Sequence, residues 1–593
     1  MVQVTGASTE CMQINDTPRT ARRRDRYDLV LKDCRIVDVE NGRTFEADIG
    51  ITGTKIVKIQ PELSGTETVP VRGRYVAPGL VEPHVHFESS KLPLSAFVRL
   101  VMAHGTTTVV NDPHEIANVL GVRGVKATLK EAQLQPISVY TTVPSCVPAV
   151  PFETSGATLG VEKVEELLSE EGVIGLGELM NFPGVLSGDR EVMGKIAAAR
   201  NVGKVIEGHC PLLSGEDLKN YVAAGISSDH EVTEGWELEE KISRGMAVYI
   251  RLGSQAQDLK RLVQYLIENE LPTENLSFCT DDRHSGDLVR YGHLDYNLRT
   301  AVRWGLDPVT ALRMATHNPS RHFGLDDRGV IETGYRADLV VFDDLARFTP
   351  ELVIAGGRII ARHGEPVVPE VPFDYSFGLE SVHCPPVAAE QFAIPCPGER
   401  ARVKVIRVVE GHVITESVIH ELTVRTGLLE ADIERDLLKI AVIERHTGTG
   451  GFSVGFVTGF GLQEGAIGST VAHDSHNIIV VGTTDAAMAR SVNALRAMGG
   501  GEVVVSPEAV STLQLHYGGL MSLDAPAQVM EDMEKLEAAY RALGGKLGSP
   551  FMALSFLALP VIPTLKITDK GLYELGEQGI AKQELILKGT TNY

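Results

Sequence analysis

The chain has 593 residues and carries 56 Lys and Arg against 78 Asp and Glu, a formal net charge of −22 at pH 7. At roughly 100 to 200 residues per folding unit, this length implies three or four units with large buried cores. The acidic balance argues against nucleic acid as a partner and favours a soluble protein of the cytoplasm. Seven cysteines without a Cys-x-x-Cys pair point to a reducing compartment and no disulfide framework. The most apolar run, Phe551 to Ile562, is too short to span a bilayer and contains Pro560, so it reads as buried core and no membrane partner is expected.

In chain order, residues 1–26 lack the apolar centre of a secretory signal and end in the basic cluster Arg22 to Arg26, which predicts a flexible polar lead. Residues 27–76 alternate apolar and polar side chains between the turn signals "ENG" and "TGT", the pattern of a small antiparallel sheet. From 77 to 327 the rhythm changes. Apolar runs such as "TTTVVND", "GVIGLGE", "KVIEGH" and "LSFCTDD" are separated by amphipathic stretches such as "VEKVEELLSEEG", and repeated strand then helix predicts a parallel β/α architecture. Eight such units close into a barrel of about 250 residues. Residues 328–385 return to short strands and are expected to complete the first sheet, 386–399 form a Pro-rich linker along the surface, and 400–593 form a separate α/β domain. In that domain Thr484 or Asp485 is placed to cap a helix that Gly499 ends.

His84 and His86 follow the bend "APG". Residues i and i+2 of a strand share a face, so both imidazoles can aim at one ion. Four more potential ligands, Glu178, His209, His230 and Asp281, stand at the ends of later predicted strands, and strand ends of a β/α barrel converge on one mouth. Imidazole and carboxylate without thiolate suit Zn, Mn or Fe. Glu178, with two oxygens, can bridge a pair of ions about 3.5 to 4 Å apart. Cys210 and Cys279 beside the ligands read as small packing residues, and Arg283 as a cation that offsets nearby carboxylates.

The motifs "PGLVEPHVHFESS", "GTTTVVNDPHEIANV", "GLGELMNFPGV", "EGHCP", "GISSDHE" and "CTDDRHSGDL" resemble the amidohydrolase superfamily, and within it the bacterial adenine deaminases, over nearly all of residues 30–593. The resemblance implies a distorted TIM-like (β/α)8 barrel, a β-sandwich assembled from 27–76 and 328–385, a characteristic C-terminal α/β domain, a dinuclear Mn or Fe site, and a homodimer. It places His84 and His86 on the first strand, Glu178 as the bridging carboxylate, His209 and His230 on the fifth and sixth strands and Asp281 on the eighth. Many members of the superfamily bridge their ions with a carboxylated lysine. Here Glu178 holds that position, and Lys204 lies at the wrong end of its strand.

The implied reaction is hydrolysis of adenine to hypoxanthine and ammonia, a purine salvage step. Carbon 6 of adenine is a poor electrophile, and a metal ion that lowers the pKa of its water from about 15.7 to about 7 provides hydroxide as the nucleophile. Asp281 is expected to shuttle a proton from that nucleophile to the leaving nitrogen, and Glu88 to protonate ring nitrogen 1. Asp112, His114 and Glu115 after the second strand, and Gln463, Glu464, His473, Asp474 and His476 in a Gly-rich C-terminal segment, are candidates for substrate contact. The C-terminal group would form a lid over the mouth, or else a local metal or polar loop. Cyclic amide hydrolysis or N-deacetylation is the alternative chemistry, and a non-catalytic metal-bound paralogue the alternative class.

Overall fold

The computed structural model describes residues 27–576 and 579–587. The polar lead expected at 1–26 lies outside the described residues. The centre of the molecule is a ring of eight parallel strands: Leu80–Val85, Thr106–Asn111, Ser138–Val143, Val173–Leu179, Val205–Gly208, Ser228–Asp229, Ala247–Arg251 and Leu276–Cys279. The first five form one sheet and the last three another. Two narrow seams join them: a parallel bridge between Val85 and Asp281, and the Ser227 amide, which donates to the Ile206 carbonyl at 3.0 Å. These irregular seams are what make the barrel distorted. The first two strands are buried at every position, as expected where side chains face either the barrel interior or the surrounding helices.

The sheet read from residues 27–76 continues through the segment after the barrel. Strand Tyr75–Pro78 lies parallel to Tyr27–Asp38 on one side and antiparallel to Leu339–Phe342 on the other, so the segments before and after the barrel interleave in one nine-stranded sheet. That sheet curls around a core that includes Leu31, Ile36, Ile49, Ile51, Val76, Leu339 and Ile354. Gly79 then passes the chain into the barrel. A Cβ at this position would sit 2.1 Å from Thr107 Oγ1, so only glycine permits the close approach that starts the first barrel strand.

A ten-stranded sheet organises the C-terminal region. Helix Asp485–Met498 starts where the sequence placed it: the Thr484 side chain accepts from the Ala487 amide, and Gly499 ends the helix at φ 77°. The Pro-rich stretch 386–399 is not confined to the surface. Phe392 is fully buried and packs with Val387 and Cys384 against the same layer as Met488 and Val492, because an aromatic ring has far more to gain from that core than from solvent. The apolar run Phe551 to Ile562 is core, in agreement with its sequence, and Leu554 and Leu557 join Leu92 and Ala96 of the barrel in a cluster that spans the two units. Among the described residues no helix is long and apolar enough to cross a membrane, and six cysteines are buried and free of disulfides.

Candidate metal centre

The strand ends deliver six of the expected side chains to one point. His84 and His86, both buried, bring their Nε2 atoms to 3.1 Å of each other. His86 Nε2 lies 3.1 Å from Glu178 Oε1 and 3.3 Å from Asp281 Oδ1, while His84 Nε2 lies 3.5 Å from that same aspartate oxygen. The other oxygen of Glu178 faces the opposite pair, with His209 Nδ1 at 2.6 Å and His230 Nε2 at 3.3 Å. One carboxylate therefore divides four imidazoles into two pairs, each facing its own oxygen. Such a division suits a group shared by two cations.

Neighbouring groups fix these ligands in orientation. His86 Nδ1 faces the Asp112 carbonyl at 2.9 Å, so donation there leaves the Nε2 lone pair free for an ion. Asp112 Oδ2 accepts the Glu178 amide at 2.9 Å. That contact depends on Gly177, where a Cβ would fall 2.0 Å from Asp112 Oδ2. Gly177→Ala is expected to push Asp112 off Glu178 and to weaken metal affinity by about 10- to 100-fold, the range typical of lost supporting contacts. Competition with a metallochromic chelator measures this.

Deeper in the fold, Lys241 supports two of the candidate ligands at once. Its Nζ donates to Asp229 Oδ2 at 2.7 Å, Glu237 Oε1 at 2.6 Å and the Cys210 carbonyl at 2.8 Å, and Asp229 Oδ1 accepts the Cys210 amide at 2.8 Å. His209 precedes Cys210 and His230 follows Asp229, so this buried knot sets both. Burial opposes ionisation of Asp229, yet Lys241 and His230 bring its carboxyl down to about 2. Lys241→Met strands two buried carboxylates and is expected to cost about 3 to 5 kcal/mol of stability, read as a fall in the urea midpoint.

Electrostatics at the centre favour anionic carboxylates despite the dry surroundings. Burial raises the Glu178 and Asp281 carboxyls, but the imidazoles around them outweigh it and hold both well below the ordinary range. Burial likewise opposes charge on His230, and Glu178 beside it reverses the outcome, taking the imidazole up to about 9. Arg251 adds a fixed cation: it donates to Asp281 Oδ2 at 3.2 Å and pairs with Glu231, leaving Asp281 Oδ1 turned to the histidines. The donor set fits a divalent metal by its own chemistry, and His209 Nε2 is buried without a hydrogen-bond partner, as a nitrogen available for a further ligand would be.

The remaining sequence candidates separate into three groups. His114, Glu115, His473 and Asp474 line the cavity above the centre, so the C-terminal region does form part of its wall. Asp112 and His476 are buried beside it, Asp112 on Glu178 and His476 on Glu115. Glu88 and Gln463 are elsewhere. Glu88 is not on the cavity wall: its Oε1 accepts the Ile116 amide at 3.3 Å, and burial, with Glu115 nearby, pushes its carboxyl up to about 8. Gln463, like Glu464, is exposed in the turn between strands Phe452–Thr458 and Ala466–Ser469, because the chain doubles back there before it reaches the mouth. Arg283 feels the charges of Asp287 and Asp295 but makes no direct ion pair among the described residues. It donates to the Leu252 carbonyl at 3.2 Å and lies 4.9 Å over the Tyr296 ring. Lys204 immediately precedes its strand and donates to the Val173 carbonyl at 2.9 Å, far from any ligand role, and Cys210 and Cys279 are fully buried packing residues.

Sequence reasoning missed several cavity residues: Arg251, Glu231, Asp282, Met180, Phe556 and Leu559. Two of these were within reach, since Glu231 and Asp282 each directly follow a candidate ligand.

A parallel barrel whose strand ends carry histidines and carboxylates, with a sheet built from both flanks, defines the amidohydrolase class, and residues 75–360 match the model described as "Amidohydrolase family". Residues 412–578 match the model described as "Adenine deaminase C-terminal domain". An adenine deaminase of Desulfatibacillum aliphaticivorans is 43% identical over 554 residues, covering 92% of this chain and 95% of the relative. One from Methanothrix thermoacetophila is 42% identical over 572 residues, covering 96% and 99%. The chain belongs to the adenine deaminase family.

Proposed function

We propose that the protein hydrolyses adenine to hypoxanthine and ammonia, with His84, His86, Glu178, His209, His230 and Asp281 holding a pair of divalent ions, Mn or Fe, at a donor set that also accepts Zn. The observation that carries this reading is the split of Glu178, with one oxygen toward His86 and the other toward His209 and His230. When bound, such ions supply a water acidic enough to act as nucleophile near neutral pH. All other steps belong to the chain's own groups.

Asp281 takes the proton from the attacking water, with Oδ1 facing the centre and Oδ2 held by Arg251. After attack on carbon 6 the same carboxyl gives the proton to the exocyclic nitrogen, which departs as ammonia rather than as an amide ion. Asp282, on the cavity wall and hydrogen-bonded by the Ser89 hydroxyl, donates to ring nitrogen 1, the role the sequence assigned to Glu88, and recovers a proton from the carbon 6 hydroxyl as the intermediate collapses to hypoxanthine. Met180, Leu559 and Phe556 supply the apolar surface for the purine face and exclude water from it. The acidic composition and the family support a homodimeric enzyme of purine salvage in the cytoplasm.

The test is direct. Protein reconstituted with Mn is incubated with adenine while ammonia and hypoxanthine are followed. Stoichiometric release of both, abolished by chelator and restored by Mn, is expected, whereas no ammonia from adenine at any metal loading would overturn the reading.

A further inference from the structure

A second collection of metal-type donors lies at the seam between the barrel and the C-terminal sheet. Glu115, in the first turn of helix His114–Ala132, points its carboxylate at the segment 470–477. His473 Nδ1 is 2.8 Å from Glu115 Oε1, and His476 Nε2 touches Oε2. His114 Nε2 is 3.4 Å from Glu115 Oε1 and 3.7 Å from Asp474 Oδ1, while His473 Nδ1 is 3.6 Å from that same oxygen. One donor atom from each of His114, Glu115, His473 and Asp474 lies within 4.8 Å of all the others.

An independent feature points to a ligand. Asp474 Oδ2 is buried with no hydrogen-bond partner among the described residues, and Asp474 is only 1% exposed. A buried carboxylate oxygen left in this way is costly, and a cation beside it removes the cost. The segment that carries three of these side chains is also held rigidly. Arg445, fully buried, donates to the carbonyls of His476, Ser381 at 3.0 Å, Gly518 at 3.0 Å and Thr470 at 3.4 Å, so the donors are positioned before any ion arrives.

We propose that His114, Glu115, His473 and Asp474 form a third divalent-cation site that fastens the C-terminal region to the barrel mouth; it adjoins the pair at Glu178 through His114, whose Nδ1 lies 3.4 Å from Glu178 Oε1 while its Nε2 faces Glu115 and Asp474. Two imidazoles and two carboxylates without thiolate select an ion of the Mn, Fe or Zn type. His476 contacts the second oxygen of Glu115 and orients it. The site stands on geometry alone and does not depend on which reaction the barrel catalyses.

The experiment uses the full chain saturated with Mn and dialysed free of excess. Metal content is measured by mass spectrometry, and crystals are examined for anomalous scattering on both sides of the manganese absorption edge. The expected result is three equivalents per chain, with one anomalous peak between Glu115 and His473 in addition to those at Glu178. Glu115→Gln and His473→Asn are each expected to lose one equivalent and that peak while the signal at Glu178 persists. A saturated wild-type map without density among the four donors overturns the proposal, even if the variants fail to fold. A third equivalent retained by both folded variants overturns it as well.

Discussion

Glu178→Ala is expected to yield a folded chain that retains little metal and turns over adenine at least about 1,000-fold more slowly. The magnitude follows from what bound ions contribute: charge stabilisation worth several kcal/mol, at about 1.4 kcal/mol for each factor of ten in rate. The comparison with Glu178→Asp sharpens the claim. Aspartate keeps the charge but is one methylene shorter, and the native side chain must hold one oxygen 3.1 Å from His86 Nε2 while the other stays 2.6 Å from His209 Nδ1. A shorter arm can serve one pair of imidazoles well or both badly, so Glu178→Asp is expected to bind a first ion more tightly than a second, with turnover far below that of the native enzyme. Glu178→Gln keeps the length and loses the charge, and both ions are expected to weaken together. Titration of each apo protein with Mn, read as bound metal per chain, separates the three cases. Full metal occupancy in Glu178→Ala would show that Glu178 is not the carboxylate the two ions share.

The side chains proposed to hold metal were legible in the sequence because each sits at a fixed place in a local pattern. His84 and His86 share a face of one strand, and Glu178, His209, His230 and Asp281 each close an apolar run, so the barrel's geometry alone brings them together. Residues that reach the site across the fold had no such marker. Phe556 and Leu559 lie in a run whose apolar character reported burial but not which surface it would cover, and they prove to face the cavity. Gln463 and His473 are ten positions apart in one glycine-rich stretch, yet a turn sends the first to solvent while the second is held inward by its amide, which donates to the Ser555 carbonyl at 3.1 Å. Arg251 ends its strand like the ligands do, but an arginine there reads equally well as a surface cation; only the structure shows Asp281 and Glu231 around it. Local periodicity thus identifies faces and strand ends. The docking of one unit on another is set by long-range packing, which one sequence without that packing does not reveal.

Asp281→Asn is expected to lower kcat by about 100- to 10,000-fold with KM little changed, the range associated with loss of a positioned proton carrier. The substitution is well suited to isolate this role. Asp281 has φ 53°, a left-handed backbone that asparagine also adopts readily, so the turn at the end of the strand is preserved. The amide oxygen can still face His84 and His86, where the native Oδ1 lies at 3.5 and 3.3 Å. Arg251 loses one charged partner but keeps Glu231 and Asp258, so the buried guanidinium is not left without a counter-charge. What asparagine cannot do is accept a proton from water and return it to a leaving nitrogen. Metal content measured in the same preparation separates the two consequences of the change: a variant with native metal and a rate within threefold of wild type would show that the proton travels by another group, whereas native metal with a collapsed kcat assigns it to Asp281. Asp282→Asn is the companion. Its carboxyl lies on the cavity wall and also within reach of His86 and Asp281, so it is expected to reduce kcat by a smaller factor, and metal content measured in the same preparation separates a lost proton donor from a weakened ion.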